Sequence, residues 1–166
     1  MKQLLLLFIV IVFSLSAQSS ARKHEMRAVW IATVANIDWP SQPGLPASLQ
    51  KEEMVRMLDY LSKARINTIV MQIRPTADAF YPSALEPWSH WLTGKQSAKP
   101  VPFYDPLEFI IEEAHKRCIE VHVWLNPYRV MNANRPDLLH PDHLWFKRPE
   151  LFVRYEIGRA SCWERV

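Results

Sequence analysis

Three stretches of this chain share one pattern: an apolar run of strand length that stops in polar and aromatic residues. Val29 to Val34 runs into Asn36, Asp38 and Trp39; Ile66 to Ile73 into Arg74 and then Asp78; Val121 to Leu125 into Asn126, Tyr128 and Arg129. Segments with helical spacing separate them. Strand, helix, strand, helix, strand with crossovers of this length makes a parallel sheet with right-handed connections. Ligands of such sheets bind beyond the carboxyl ends of the strands, so the polar clusters mark a candidate site as well as strand ends.

The pattern resolves into elements. A strand is expected over Met26 to Ala35, then a loop with Pro and Gly, then a helix from about Ser48 to Ala64 with Met54, Met57, Leu58 and Leu61 on one face. The second strand, Asn67 to Ile73, points Ile69, Met71 and Ile73 one way and Thr68, Val70, Gln72 and Arg74 the other. A long loop with little periodicity follows, from Pro75 to Tyr104; loops of this length are usually functional. Asp105 as N-cap, Pro106 at the first position and Glu108 three residues after the cap open the next helix, whose buried stripe is Leu107, Ile110, Ile111, Ala114 and Cys118. Glu112 with Lys116 and Glu113 with Arg117 support its wet face. Cys118 stands where that helix ends, a position that often takes Gly. The third strand, Glu120 to Asn126, sets Val121, Val123 and Leu125 against His122, Trp124 and Asn126, with His122 expected as a satisfied interior histidine.

The fold class is α/β, read as a partial (β/α)8 barrel of the TIM type holding the first three to four β/α units. In such barrels the outward strand faces are apolar and meet helices. The alternation of strands two and three fits, whereas strand one is apolar on both faces. A doubly wound sheet stays open as an alternative. Neither strand-to-helix loop has a phosphate-binding glycine fingerprint, and no cofactor is expected.

Met1 and Lys2, the apolar run Leu4 to Phe13, and small residues Ser14, Ser16, Ala17, Ser19 and Ala21 form a secretory signal. The run is shorter than the roughly 18 residues that span a bilayer, and no Cys follows to take a lipid. Residues 1–21 are expected to be removed, leaving an exported periplasmic or extracellular protein that meets the membrane only through the signal; a retained anchor is the alternative. Net charge is +3, of which Lys2 supplies one unit and the last ten residues another. A near-neutral body without a basic arm excludes nucleic-acid binding. The two cysteines, Cys118 and Cys162, are not expected to pair.

Several separated segments carry a resemblance. They are Met26 to Val34 running into Asn36, Ile37, Asp38, Trp39 and Pro40; Gln72, Ile73, Arg74 and Pro75 with Asp78; Leu85 to Trp88 with Leu92, Thr93 and Gly94; Tyr104, Asp105 and Pro106; and Trp124 to Arg129. Over residues 25–156 the chain resembles the glycosyl-hydrolase-like family 10, exported bacterial proteins once known as a domain of unknown function. The resemblance implies a TIM-type barrel of the cell envelope that hydrolyses glycosidic bonds, with peptidoglycan strands a candidate substrate. A whole barrel takes about 250 residues. The chain is therefore expected to be an amino-terminal fragment, inactive alone, with 157–166 a tail unrelated to the family.

Glycoside hydrolysis uses two carboxyl groups, roughly 5 to 5.5 Å apart for retention and 6.5 to 9.5 Å for inversion. No acid and base pair is assigned; Asp38 and Asp78 are the candidate catalytic carboxylates, each with a structural alternative: Asp38 as a turn cap, Asp78 as the ion-pair partner of Arg74. Glu86 is expected to be solvated or to fix its loop. Asn36, Asp38, Trp39, Arg74, Asp78, Trp88, Asn126, Tyr128 and Arg129 are the expected substrate-binding residues. In this set Trp39 and Trp88 would stack on sugar faces, Asn126 and Tyr128 would hydrogen-bond, and Arg74 and Arg129 would each hold a carboxylate of the protein or the substrate. His140 and His143 near Asp142 do not have the spacing of a standard metal site, and no metal is expected. A noncatalytic glycan-binding barrel and a metal-dependent polysaccharide deacetylase are the alternative functions.

Overall fold

The structure, a computed structural model, describes residues 25–131, 139–154 and 163–164. The expected signal segment and Cys162 lie outside the described residues. Strands β1 (Ala28–Ile31), β2 (Thr68–Arg74) and β3 (Glu120–Leu125) form a parallel sheet in the order β1, β2, β3. Ala28 stands opposite Thr68, and Thr68 opposite Glu120. Helix α1 (Ala47–Lys63) joins the first two strands, and the short helix α2 (His90–Thr93) and helix α3 (Pro106–His115) lie between the second and third. No helix among the described residues is long and apolar enough to cross a membrane.

One apolar cluster explains the packing. Ile31, Ile69, Met71 and Ile73 from the strands meet Met54, Leu58 and Leu61 from α1 and Ile110 and Ala114 from α3. Both crossover helices thus cover the same face of the sheet, as period-2 strands and period-3.6 helices with one apolar stripe each require. Val29 also packs against this cluster, which settles the orientation that the sequence of β1 left open.

β1 is shorter than its apolar run. The chain leaves it after Ile31 because Val34–Asn36 coil into a 3-10 turn, with Ala35 and Asn36 in the left-handed region at φ 55° and 52°. Asp38 holds the fold-back: its N–H donates to the Ala32 carbonyl (3.0 Å), while its Oδ2 accepts from the Ala32 N–H (2.7 Å).

Asp105 caps α3, its Oδ1 accepting from the N–H groups of Leu107 (2.9 Å) and Glu108 (3.3 Å). Asp105→Ala is expected to lower stability by about 1 kcal/mol, read from the denaturant midpoint; an unchanged midpoint would show that the cap contributes nothing. At the other end Cys118 has φ 55°, the conformation for which Gly is usual, and its thiol is free and exposed; it does not join the buried stripe as expected, because α3 ends at His115. Lys116 pairs with Glu113 (2.6 Å) rather than Glu112, and Arg117 bridges Glu113 (2.8 Å) and Asp59 of α1 (2.6 Å).

The segment 75–104 is more ordered than its composition suggests. Ala79 and Trp88 form a parallel bridge, Ser89 caps α2, and Phe80 and Leu92 are fully buried. Gly94 ends α2 in the left-handed region, where an added Cβ would stand 3.4 Å from the Cα of Gly44.

On the other sheet face Trp30 meets Trp124 edge-on at 5.2 Å. His122 shares this face but is exposed, with Glu120 at 3.8 Å, and is not the satisfied interior histidine expected. Val123 and Leu125, expected against helices, are 49% and 47% exposed. Both corrections have one cause: β3 is the edge of the described sheet, so nothing described packs beyond it.

Candidate functional site

The carboxyl ends of β2 and β3 are joined by one side chain. Arg74 Nε donates to Oε1 (2.7 Å) and Oε2 (2.9 Å) of Glu86, its Nη2 donates to the same carboxylate, and its Nη1 donates to the Asn126 carbonyl. The two charged side chains are 14% and 8% exposed. The partner of Arg74 is therefore Glu86 and not Asp78. Of its two expected roles, solvated carboxylate or loop-fixing residue, Glu86 takes the second. The pairing spans twelve residues of loop, a separation at which no periodicity signals a contact.

Asn126 is engaged at both ends of its amide. Its Oδ1 accepts from Trp124 Nε1 (2.8 Å) and its Nδ2 donates to the Pro75 carbonyl (3.1 Å). Asn36 works after β1 through one end only, donating from Nδ2 to the carbonyls of Pro40 (2.8 Å) and Trp91 (2.9 Å). Both residues shape the strand ends. Asp78 is completely buried; Oδ1 accepts from the N–H and hydroxyl of Thr76 (3.0 Å each), and Oδ2 has no hydrogen-bond partner among the described residues. Asp38 is exposed beside the β1 turn that it closes.

The two tryptophans expected to stack on sugars are placed differently. Trp39 is fully buried, packs at 6.0 Å on Phe80 and donates its indole N–H to the Gln50 carbonyl (2.9 Å). It is a core residue with no ring face open to a ligand. Trp88 is 8% exposed and meets Phe103 edge-on at 6.3 Å. Its rim borders a cavity of about 250 Å³ shared with Glu86, Ser97, Lys99 and Lys147.

Tyr128 and Arg129 remain at the surface, directly after the turn that Arg74 and Asn126 hold. They line a cavity of about 350 Å³ with Arg74, Val130, Leu144 and Phe152. Of the expected substrate-binding set, Arg74, Tyr128 and Arg129 are thus brought together. Asn36, Asp38, Trp39, Asp78, Trp88 and Asn126 do not line this cavity.

Two residues outside the expected set hold the site. Gln72 is completely buried, and its Oε1 accepts from the N–H groups of Thr33 and Val34 (2.9 Å each), tying the end of β1 to β2. Its sequence signals are an amide amid the apolar residues of β2 and its place in the Gln72–Pro75 segment. His143 is also completely buried: Nε2 lies 2.9 Å from the Thr76 carbonyl, and Nδ1 accepts from the Trp145 N–H (3.2 Å) to cap the four-residue helix α4 (Leu144–Lys147). His140 instead faces Asp142 (3.4 Å), and among the described residues no three His, Cys, Asp or Glu side chains gather as a metal site.

Burial pushes the His143 pKa below its ordinary 6.5, outweighing the Thr76 carbonyl and the carboxylates of Asp78 and Glu86, while Arg74 adds to the lowering. His90 moves the same way, also through burial, against Asp78. Between the lowered pKa and about 6.5 the unfolded chain binds more protons than the folded one, so stability rises with pH across that window and is level above it. His143→Gln is expected to flatten part of this rise, His90 supplying the rest. Denaturation midpoints measured from pH 5 to 7.5 check it, and an unchanged slope would remove His143 from the account.

A cavity with two guanidinium groups and a phenol at the carboxyl ends of parallel strands is the kind of site that α/β proteins use for small polar ligands. The chain belongs to the glycosyl hydrolase-like 10 family, whose model matches residues 25–159. It is 51% identical over 144 residues to glycosyl hydrolase YngK of Bacillus subtilis (strain 168), an alignment covering 86% of this chain and 27% of that protein. It is 41% identical over 127 residues to glycosyl hydrolase DigH of Escherichia coli (strain K12), covering 72% of this chain and 28% of that protein. The chain thus spans little more than a quarter of the length of these relatives. Family and relatives support a function related to glycoside hydrolysis.

Proposed function

We propose that this chain supplies part of the glycan-binding wall of an exported glycoside hydrolase built on a (β/α)8 barrel, with a bacterial glycan such as peptidoglycan strands as substrate. The cavity lined by Arg74, Tyr128 and Arg129 carries the reading, because it lies at the carboxyl ends of β2 and β3 in a member of a glycosyl hydrolase-like family. Sequential strand order with both crossover helices on one face is the arrangement that the first units of such a barrel require.

The chemistry open to these residues is positioning. Arg74 is neutralised by Glu86 and carries the Asn126 turn; Tyr128 and Arg129 offer a hydroxyl and a cation to a sugar. The test is release of reducing ends from a panel of bacterial glycans, peptidoglycan strands included, by the protein of the complete reading frame. Release from none of them overturns the reading. A noncatalytic glycan-binding module is favoured by a separate observation: Glu86 is bound to Arg74, Asp78 is buried on Thr76, and Asp38 is bonded to Ala32. Glycan binding without cleavage would select it. A polysaccharide deacetylase has no observation of this structure in its favour.

A further inference from the structure

Helix α4 borders both cavities, supplying Leu144 to the larger and Lys147 to the smaller. Its Leu144 and Trp145 pack on buried Ala77, Val130 and Met131. A four-residue helix has too few internal bonds to hold itself, so its place is set by what ties it down. His143 ties it at both ring nitrogens, and the two bonds ask opposite things of them. The Trp145 N–H donates to Nδ1 (3.2 Å), so Nδ1 carries a lone pair; the proton stands on Nε2 and is donated to the Thr76 carbonyl (2.9 Å). Thr76 is fixed in turn by Asp78, whose Oδ1 accepts from its N–H and hydroxyl. The ring is thus a neutral strut between the turn after β2 and the start of α4.

A second proton would fall on Nδ1 and set one N–H against another. The charged groups around the ring do not mend this. Glu86 is bound to Arg74, Oδ1 of Asp78 to Thr76, and on the ring's own segment Asp142 pairs with Lys147 (3.0 Å) and His140 (3.4 Å). Oδ2 of Asp78 is buried and has no hydrogen-bond partner among the described residues. Yet a doubly protonated ring accepts nothing, so even a bond to that oxygen would cost α4 its cap. We propose that His143 is a positioning residue of the site: its neutral ring sets the α4 wall of both cavities against the strand ends, and its protonation frees that wall and weakens ligand binding. The proposal rests on the glycan reading above and adds a pH-dependent support to it. Burial favours the neutral ring, holding its pKa below the ordinary 6.5, so the wall is in place at neutral pH and is lost as pH falls through the lowered value.

The experiment takes the protein of the complete reading frame from about pH 7.5 to 4.5 with two readouts. Hydrogen exchange of residues 144–147, corrected for intrinsic rates, reports α4 without any ligand. KM and kcat for release of reducing ends from peptidoglycan strands report the site. On acidification the protection of α4 is expected to fall, and KM to rise, each by about tenfold. His143→Asn keeps a cap but cannot titrate; both changes are expected to disappear, with values between the two extremes of the wild type. His143→Ala keeps neither bond and is expected to show the low-pH values throughout. The asparagine variant and the wild-type profile carry the test without it. Protection or KM that follows pH alike in the wild type and His143→Asn overturns the proposal, as does a KM that stays level while α4 is released. If no glycan of the panel is cleaved, the glycan reading falls, and the exchange of α4 still decides whether His143 holds the wall.

Discussion

Glu86→Gln is expected to destabilise the folded chain by about 3 to 5 kcal/mol, measured by chemical denaturation at neutral pH. The substitution keeps the shape of the side chain but leaves the Arg74 guanidinium, 14% exposed, without a counter-charge. Removing one partner of a buried pair costs far more than the pair itself contributes, because the remaining charge stays out of water. Replacing both residues together, with Arg74→Met and Glu86→Leu, is therefore expected to recover much of the loss. A domain of ordinary stability has only about 5 to 15 kcal/mol in total, so the single variant should lie close to unfolding. A loss below about 1 kcal/mol would mean that the pair is solvated and worth no more than a surface bridge.

Trp39→Ala is expected to cost a similar amount, about 3 to 5 kcal/mol, for a different reason. The ring is fully buried against Phe80, and truncation opens a cavity and leaves the Gln50 carbonyl without its indole donor. Trp39→Phe fills most of the cavity and should cost less. The decisive comparison is between stability and glycan affinity in the Phe variant. A core role predicts a lowered denaturation midpoint with binding unchanged; weakened binding at an unchanged midpoint would restore Trp39 to the sugar site.

The two residues show why strand-end composition is an incomplete guide to a site. Trp39 and Tyr128 both follow apolar runs and both read as sugar contacts. Whether an aromatic residue after a strand turns inward or outward depends on the path of the loop, and here Asp38 folds the chain back so that Trp39 enters the core. Tyr128 follows a turn held outward by Asn126. Likewise a carboxylate four residues from Arg74 was the obvious partner, yet Asp78 turns to cap Thr76, and Glu86 arrives from the far side of the loop.

Local rules wrote much of the architecture directly into the chain. Alternation in β2, the apolar stripe of α1 and the Asp105–Pro106 start of α3 needed only neighbours within a few residues, and each stands close to where it was expected. Cys118 in the left-handed position is legible for the same reason. Contacts across long sequence separations were not: Gln72 reaching back to Thr33, His143 to Thr76, Glu86 to Arg74. Side-chain chemistry told which groups must find partners when buried; only the tertiary fold, by bringing distant segments within hydrogen-bond range, decided which partners they found. Arg129 is left over from that assignment, a strand-end cation whose charge no described residue answers.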